Sequence, residues 1–494
     1  MFMSLIDVSH LTFSYDGMHQ YIFNDVSFKI DTNWRLGFCG RNGRGKTTFL
    51  KLLMNEYEYE GNIYSNVDFS YFPYEVFDPQ KNTIDVLAQI LSQTELWKVE
   101  CELNQLMVSC DCLYRPFNSL SNGEQTKVQL AALFLKDNNF LLIDEPTNHL
   151  DVYGRKILSD YLRQKRGYIV VSHDRVFLDN CVDHILSINK SNIEIVSGNF
   201  TSWYRNKELN DAYETEKNEH LKHEIKRLNE TAREKAIWSD RVEATKIGTH
   251  QADRGRIGHL AAKMMKRSKA IQKRKETEID EKSKLLKNIE SAELLKISPL
   301  EYHSNRILSL NDVSISYKDT LVVDHVTFEL NQKDRISIEG KNGAGKTSII
   351  KLIMGENITY TGDVIIPDNL IFSYIPQDMS CLTGSLSRFI ENQKINETLF
   401  KTILRKLDFS RDQFDKEISS YSDGQKKKVL IASSLSKSAN VYLWDEPLNF
   451  VDVISRVQIE ELIIHYMPTL IFVEHDSAFC NKAATKHIDL SKTK

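Results

Sequence analysis

Short apolar runs recur along the chain, and most of them end at glycines or at charged residues. Two runs lead into a glycine-rich stretch and then a helix-like segment. Four others end in an acidic pair or in histidine and aspartate. Strand-like runs alternating with helices predict an α/β fold. The runs are WRLGFCG at 34–40, FLLIDEP at 140–146, YIVVSHD at 168–174, RISIEG at 335–340, VYLWDEP at 441–447 and LIFVEHD at 470–476.

The region between these two groups of runs has another pattern. Residues 201–298 contain no proline and only three glycines, all between positions 248 and 258. Apolar residues recur at helical spacing before these glycines (Leu221 and Ile225) and after them (Leu286 and Ile289). This distribution predicts two helices of about 30 to 38 residues joined by one turn, each roughly 45 to 55 Å long at 1.5 Å per residue.

The chain is an internal duplication. Five motifs recur 300 to 302 positions later in the same order: FSY as ISY, GRNGRGKTT as GKNGAGKTS, LSNGEQ as YSDGQK, LLIDEPTNHLD as YLWDEPLNFVD, and SHD as EHD. Such self-similarity indicates two domains built on one plan. We therefore expect a first domain at 1–200, a helical-hairpin linker at 201–298 with a basic tip near 245–269, and a second domain at 299–494.

The repeated glycine-rich stretches match a phosphate-binding P-loop, in the strand-to-helix context that this motif requires. Glycines let backbone N–H groups close around phosphates at a helix N-terminus, and the lysines reach the β- and γ-phosphates. The hydroxyls of Thr47 and Thr347 can ligate Mg²⁺. The ATP-binding candidates are Gly40, Asn42, Gly43, Gly45, Lys46, Thr47 and Thr48 in the first loop and Gly340, Asn342, Gly343, Gly345, Lys346, Thr347 and Ser348 in the second.

The acidic pairs and the histidines supply candidates for catalysis. Asp144 and Asp445 are placed to hold Mg²⁺, directly or through water. Glu145 and Glu446 can polarise the attacking water. The histidines His173 and His475 sit where a side chain could sense the γ-phosphate. A solvated strand end for each glutamate and a structural role for each histidine are the alternatives, and the repetition of both motifs disfavours them.

Composition bounds the function further. No run reaches the roughly 18 apolar residues of a membrane helix, and the start MFMSLIDVSH lacks a secretory pattern, so we expect a cytoplasmic protein. The seven cysteines are scattered along the chain, as expected of reduced thiols.

The net charge of the chain is -4, yet residues 201–300 hold 23 Lys and Arg against 17 Asp and Glu. A solvated basic helix face is one explanation; RNA contact is the other. The candidate residues for RNA contact are Arg254, Arg256, Lys263, Lys266, Arg267 and Lys269.

In this order the P-loop, LSNGEQ, DEPTNHLD and SHD resemble the motifs of ATP-binding cassette (ABC) ATPases. The resemblance implies two tandem P-loop domains in a head-to-tail sandwich within one monomer, each ATP lying between one domain's P-loop and the other domain's signature helix. It implies that Tyr15 and Tyr317 stack on adenine, with core aromatics as the alternative. It also matches Ser121, Gly123, Ser422 and Gly424 in the signatures, and Gln377 as a ligand for ATP and Mg²⁺.

Two departures from the family pattern fall in one composite site. Tyr74 stands where the family usually has glutamine, and Asp423 stands where it usually has glycine. Both belong to the site that contains Lys46, hereafter the Lys46 site; its counterpart is the Lys346 site. The carboxylate of Asp423 would repel the negative charge of a γ-phosphate nearby unless the side chain points away from it. We therefore expect slower ATP turnover at the Lys46 site.

Twin ABC domains joined by a long charged helical spacer resemble the ABC-F group. Nearly the full length resembles its Lsa-type antibiotic-resistance proteins, through DTNWRLGFCGRNGRGKTT, LIDEPTNHLD, MMKRSK and DEPLNFVD. The resemblance implies an Mg²⁺-dependent ATPase that binds the bacterial ribosome at the E site, displaces the P-site tRNA and reaches 23S rRNA near the peptidyl-transferase centre. Lincosamides, streptogramins A and pleuromutilins would then leave, with residues 249–257 nearest the drug. Neither DNA nor a membrane is an expected partner.

Four other functions stay open on the sequence. A housekeeping ABC-F translation factor shares every motif and predicts a growth or translation phenotype without drugs. A transporter ATPase needs a membrane partner and has no evident use for a basic hairpin. A DNA-repair or chromosome ATPase usually carries longer coiled coils or zinc modules. A binding module in which ATP is only structural glue is disfavoured by Glu145 and Glu446.

Overall fold

The computed structural model describes residues 5–15, 21–91, 96–148, 150–188, 193–244, 273, 294–317, 320–380, 382–410 and 413–490. The chain divides into two compact units. One comprises Met1–Trp203 together with Ala292–Lys494, and the other comprises Tyr204–Ser291. The first unit thus contains both halves of the duplication, the first half up to Trp203 and the second half from Ala292. The linker limits of 201 and 298 stay a prediction.

The strands of the described residues all lie in the first unit. In the first half they are β1 Leu5–Phe13, β2 Phe23–Asp31, β3 Arg35–Cys39, β4 Glu60–Tyr64, β5 Asp68–Phe72, β6 Asn139–Asp144, β7 Tyr168–Val171, β8 His184–Ile188 and β9 Ile193–Ser197. In the second half they are β10 Arg306–Tyr317, β11 Thr320–Asn331, β12 Arg335–Glu339, β13 Thr359–Ile365, β14 Phe372–Ile375, β15 Val441–Asp445, β16 Leu470–Val473 and β17 Lys486–Asp489.

Helices alternate with these strands, which confirms the predicted α/β class. In the first half they are Lys46–Leu53, Thr83–Ile90, Leu96–Gln105, Asn122–Phe134, Val152–Gln164 and Arg175–Cys181. In the second half they are Lys346–Ile353, Leu386–Asn392, Glu397–Lys406, Asp423–Ser436, Val453–Tyr466 and Ser477–Ala483. One long helix, Phe200–Ala244, follows the first half.

Each half contains an antiparallel sheet and a larger, mainly parallel sheet. The antiparallel orders are β2-β1-β4 and β11-β10-β13, and the larger orders are β5-β6-β7-β3-β8-β9 and β14-β15-β16-β12-β17. The central strands of the larger sheets are apolar and almost fully buried, as expected of parallel strands covered on both faces. Their buried side chains form the cores of both halves.

The parallel register brings the sequence motifs to one edge of each large sheet. Asp144 at the end of β6 pairs with Val171 at the end of β7, and Phe38 near the end of β3 pairs with the same residue. In the second half, Asp445 pairs with Val473 in the same way. The P-loops, acidic pairs and histidines follow these aligned strand ends and therefore converge at one edge. Parallel sheets bind their ligands beyond this edge.

The helix Phe200–Ala244 is longer than the sequence analysis expected. It has 45 residues, or roughly 67 Å at 1.5 Å per residue, against the expected 30 to 38 residues. Its start is set by Asn199, whose side chain accepts a hydrogen bond from the backbone N–H of Ser202 at 3.1 Å. Phe200 and Trp203 in its first turn are buried. The helix begins one residue before the predicted linker start at 201.

The predicted turn, most of the second arm and the basic tip lie outside the described residues; Lys273 is helical, whereas residues 294–298 at the end of the predicted linker are neither helix nor strand. The six candidates for RNA contact and the range 249–257 therefore have no described structure. Among helices within the described ranges, none has both the length and the apolar character needed to cross a membrane.

Candidate functional site

Both P-loops lie between a strand and a helix, and both need glycine at the helix start. Gly45 and Gly345 precede the helices with left-handed φ values of 92° and 85°. A Cβ atom on Gly45 would lie 2.5 Å from Ile22, and one on Gly345 would lie 2.3 Å from Val323. Backbone conformation and packing therefore both exclude a side chain there. The N–H groups of the helix start are left facing the space where phosphates bind.

The P-loop lysines fold back over their own loops. The Nζ atom of Lys46 donates a hydrogen bond to the carbonyl oxygen of Gly40 at 2.7 Å, and Nζ of Lys346 donates to that of Gly340 at 2.8 Å. Burial lowers the pKa of both lysines, and nearby carboxylates oppose this effect. Each lysine is thus a buried donor positioned at the loop centre.

The P-loop threonines lie beside the aspartates of the acidic pairs. Oδ2 of Asp144 accepts hydrogen bonds from the hydroxyls of Thr47 at 2.8 Å and Tyr71 at 3.0 Å. Asp445 is fully buried, and within the described ranges neither of its carboxylate oxygens has a hydrogen-bond partner of standard geometry. Burial raises the pKa of Asp445, and the Thr347 hydroxyl opposes that effect. A buried, unsatisfied carboxylate beside a hydroxyl fits Mg²⁺, whose charge would offset the cost of burial.

The partly buried Glu145 and the buried His173 form a pair in the Lys46 site. The Nε2 atom of His173 lies 3.2 Å from Oε1 of Glu145. Burial, followed by the charge of Asp144, raises the pKa of Glu145 to about 8. Burial, followed by the charge of Lys46, lowers the pKa of His173 well below its ordinary value. At neutral pH the pair is a mostly protonated carboxyl beside a neutral imidazole.

Glu446 is held in the ionised form. Burial pushes its pKa upward, but contacts with His475, Gln377 and Lys346 outweigh burial and leave the pKa below its ordinary value. The Nδ2 atom of Asn449 donates a hydrogen bond to Oε2 of Glu446 at 2.5 Å, and Nε2 of His475 lies 3.6 Å from Oε1. An ionised carboxylate is the form that a general base requires.

The signature serines begin the helices Asn122–Phe134 and Asp423–Ser436. Each serine hydroxyl accepts a hydrogen bond from the backbone N–H three residues later, and the side chain there accepts one from the serine N–H. These reciprocal bonds form a capping box in both halves. They fix the start of each helix, whose partial positive charge suits a phosphate.

A cavity of about 880 Å³ lies at the Lys346 site, between the signature of the first half and the P-loop of the second half. Residues 121–124 and 341–348 line it together with Asp151, Gln377, Glu446 and His475. The structure thus brings a P-loop, a signature helix and a candidate base to one space of ligand size. This is the head-to-tail arrangement expected from the sequence.

The two halves are in direct contact at the Lys46 site. The Nδ2 atom of Asn42 donates a hydrogen bond to the carbonyl oxygen of Phe450 at 2.7 Å. A Cβ atom on Gly424 would lie 2.5 Å from that nitrogen and 2.6 Å from the Phe450 oxygen. The second signature therefore packs closely against the first P-loop.

The two departures from the family pattern have different surroundings. The Asp423 side chain is 58% exposed, and its carboxylate lies 3.9 Å from Nζ of Lys426, which partly compensates its charge. The backbone N–H of Tyr74 donates to the Gln129 side chain at 3.2 Å, and its carbonyl oxygen accepts from the same side chain at 3.2 Å. Slower turnover at the Lys46 site stays a prediction.

The aromatic candidates for adenine stacking differ as well. The Tyr15 hydroxyl forms a hydrogen bond with the Thr48 hydroxyl at 2.8 Å, and the Tyr15 ring packs edge to face against Phe13 and Tyr57. Tyr317 is 42% exposed, and its hydroxyl donates to that of Ser348 at 3.3 Å. Tyr15 is thus fixed by packing, whereas Tyr317 presents more of its ring to solvent.

Two ion pairs that no sequence motif predicted join the two halves. Nη2 of Arg44 lies 3.0 Å from Oδ2 of Asp408, and Nη2 of Arg175 lies 2.7 Å from Oε2 of Glu460. The partners are 364 and 285 positions apart in the chain. No local pattern marks such distant partners, although Arg44 stands inside the P-loop motif.

The ABC transporter family model matches residues 23–148 and 323–449, which is more than half of the chain. The chain therefore belongs to the ABC family. It carries two tandem ABC ATPase domains and is an ATP-hydrolysing enzyme.

Similar proteins cover nearly the whole chain. The ribosome protection protein VmlR of Bacillus subtilis is 26% identical over 490 residues, which covers 97% of this chain and 85% of VmlR. The energy-dependent translational throttle protein EttA of Haemophilus influenzae is 24% identical over 527 residues, covering 95% of this chain and 89% of EttA. A crystal structure of the archaeal ribosome recycling factor aABCE1 with the stalk protein aP1 matches with a TM-score of 0.62 and 20% identity, covering 97% of this chain and 87% of that chain.

Proposed function

We propose that this protein is an ABC-F ATPase that binds the bacterial ribosome at the E site and protects it from antibiotics that act at the peptidyl-transferase centre. The observation that carries the proposal is the single helix of 45 residues that begins directly after the first ABC half. A transporter ATPase has no evident use for such a helix. Similarity to the ribosome protection protein VmlR over 97% of this chain supports the same function.

The residues of the Lys346 site suit ATP hydrolysis. Lys346 and the N–H groups of the P-loop bind the phosphates, and the ionised Glu446 polarises the attacking water. His475, close to Glu446, contacts the γ-phosphate side of the site. Thr347, Asp445 and Gln377 would hold Mg²⁺, which neutralises phosphate charge; Thr47 and Asp144 have the same task in the Lys46 site.

In the proposed cycle, ATP joins the two halves because each nucleotide contacts a P-loop of one half and the signature helix of the other. In this closed, ATP-bound form the protein occupies the E site, and the linker tip displaces the P-site tRNA and contacts 23S rRNA through Arg254, Arg256 and the basic residues that follow. The bound drug then leaves. Hydrolysis removes the γ-phosphate contacts, so the halves separate and the protein is reset. One chain acts as a monomer in the cytoplasm.

Drug susceptibility tests this proposal. A sensitive bacterium expressing the wild type should tolerate more lincomycin or tiamulin than one carrying an empty vector. The double variant Glu145→Gln/Glu446→Gln should give no protection, and neither should replacement of residues 254–257 by glycine and serine. A matched control, Lys226→Ala/Arg227→Ala, also removes two positive charges, from exposed positions on the long helix, and should still protect.

A housekeeping translation factor is the second candidate, because EttA is similar over 95% of this chain. It predicts that deletion alters growth or polysome profiles without any drug. If the wild type protects against no ribosomal antibiotic while deletion slows translation, the resistance function is wrong and the housekeeping function takes its place.

A further inference from the structure

Two ion pairs connect the halves beside the Lys46 site. Arg44 lies in its P-loop, and Arg175 follows His173 by two positions; their partners, Asp408 and Glu460, belong to the second half. In both pairs the first half supplies the cation and the second half supplies the carboxylate. Two ion pairs of the same polarity therefore cross the interface near this site.

Both carboxylates are reinforced. Asp408 is also approached by Nη1 of Arg41 at 3.7 Å, so two P-loop arginines share it. Glu460 is only 3% exposed and binds Nζ of Lys482 at 2.7 Å as well. Separation of the halves would break the pair of the buried Glu460 and that of the partly exposed Asp408, so these contacts resist separation at this place.

The duplication puts uncharged residues at the counterpart positions around the Lys346 site. Ala344 corresponds to Arg44 in the P-loop. Met107 corresponds to Asp408: each stands two residues after a helix and has a left-handed φ, 53° and 62°. Neither can form an ion pair.

The second counterpart pair is uncharged as well. Ser477 follows His475 by two positions, as Arg175 follows His173, and Ser159 occupies the helix position that corresponds to Glu460. A cavity of about 300 Å³ lies here, lined by Ser159, His475 and Ser477 and also by Asp174 and Val176 on either side of Arg175. One hydrogen bond crosses between the halves nearby, from Nη1 of Arg155 to the His475 carbonyl oxygen at 3.3 Å. Ion pairs between the halves thus occur at the Arg44 and Arg175 positions, whereas the residues at the counterpart positions are uncharged.

We propose that the Arg44–Asp408 and Arg175–Glu460 pairs act as a hinge clamp that keeps the Lys46 site closed, so that the halves separate at the Lys346 site, where nucleotide exchanges at each turnover. The four residues are positioning residues, because they act through the spacing of the two halves. This inference rests on ATP hydrolysis alone and does not require the ribosomal function.

Release of a fluorescent ATP analogue from the isolated full chain tests the clamp. On mixing with excess unlabelled ATP and Mg²⁺, the wild type should release label in a fast and a slow phase. Lys346→Ala should remove the fast phase, and Lys46→Ala should remove the slow one. Asp408→Asn and Glu460→Gln should each accelerate the slow phase by about tenfold or more, since 1.4 kcal/mol of lost contact corresponds to a factor of ten.

The control is Glu397→Gln, which breaks an ion pair of 2.5 Å with Lys401 inside one helix of the second half and should change neither phase. Asp408 is about a quarter exposed, so its substitution tests the clamp even if the buried Glu460 does not tolerate change. A reverse test installs the missing pair: Ser159→Glu/Ser477→Arg should slow the fast phase.

A single release phase, or a slow phase that Asp408→Asn and Glu460→Gln leave unchanged, overturns the clamp. Because the assay contains no ribosome, its outcome is separate from drug protection. If the protein released nucleotide in a fast and a slow phase that the two lysine variants assign to the two sites, and yet protected against no drug, the clamp would be supported. That result would contradict only the proposed ribosomal function.

Discussion

Glu145 and Glu446 occupy matching positions of the duplication but differ in charge. Both follow the end of a buried strand with left-handed φ values of 51° and 49°. Burial and its aspartate neighbour raise the pKa of Glu145 to about 8, whereas at Glu446 contacts outweigh burial and lower the pKa. Two copies of one motif are therefore in different ionisation states.

The first prediction concerns catalysis. Glu446→Gln should lower the rate of ATP hydrolysis by about 10² to 10⁴, the usual contribution of a general base. Glu145→Gln should change the rate little, because a protonated glutamic acid already resembles glutamine in charge. Steady-state phosphate release at neutral pH measures both, and an equal loss in the two variants would contradict the asymmetry.

The second prediction concerns stability against pH. Because its pKa is raised in the folded state, Glu145 contributes stability that is complete below about pH 4.5 and is lost as pH rises through about 8. Glu145→Gln has no such titration. Its melting temperature relative to the wild type should therefore increase between about pH 6 and pH 8.5, by roughly 2 to 4 °C for each kcal/mol.

The matched control for this pH experiment is Glu446→Gln. The pKa of Glu446 is lowered, so its contribution is present above its ordinary pKa and lost in acid. Its variant should melt below the wild type by a difference that does not grow from neutral to alkaline pH. Parallel curves for Glu145→Gln and the wild type would show that Glu145 ionises normally.

The third prediction separates stability from activity at the metal candidates. Asp445→Asn should raise the melting temperature without nucleotide, because it removes a buried charge whose oxygens lack hydrogen-bond partners in the described structure; such groups cost about 1 to 3 kcal/mol. The same variant should lower Mg²⁺-dependent ATP hydrolysis by about 100-fold, the scale of a lost electrostatic contact in catalysis.

Asp144→Asn is the control for Asp445→Asn. Its carboxylate accepts hydrogen bonds from Thr47 and Tyr71, so the substitution should not stabilise the protein. Chelation of Mg²⁺ by EDTA should abolish hydrolysis in the wild type. Stabilisation by both substitutions, or by neither, would contradict the different surroundings of the two aspartates.

The fourth prediction concerns the contact of the second signature with the first P-loop. Gly424→Ala should destabilise the protein by about 1 to 3 kcal/mol, because its Cβ atom would overlap the Asn42 side chain and the Phe450 carbonyl group. Gly123→Ala, at the cavity of the Lys346 site, should cost less. Thermal unfolding without nucleotide compares the pair, and equal losses would mean that both signatures pack alike.

Much of each ATP site could be predicted from sequence because its parts are local. The P-loop glycines, the strand ends with acidic residues and the capping serines each depend on residues a few positions apart. The same reasoning predicted the helical character of the long helix and a linker start at 201, next to the observed helix start at Phe200, but not the length of 45 residues. The Asn199 side chain and the buried Phe200 and Trp203 fix that start.

Sequence by itself determined the duplicated P-loop architecture and the identity of the ATP-binding candidates, since hydrogen-bonding groups and backbone freedom at short spacing dictate them. The sequence also located two departures from the family pattern, Tyr74 and Asp423, in one site, but only the tertiary structure decided how the two sites differ in ionisation and in contacts between the halves. Ionisation at Glu145 and Glu446 depends on burial and on neighbours from several elements, and the clamp pairs Arg44 with Asp408, 364 positions away. Electrostatic energy depends on distance through space, which the order of residues does not contain.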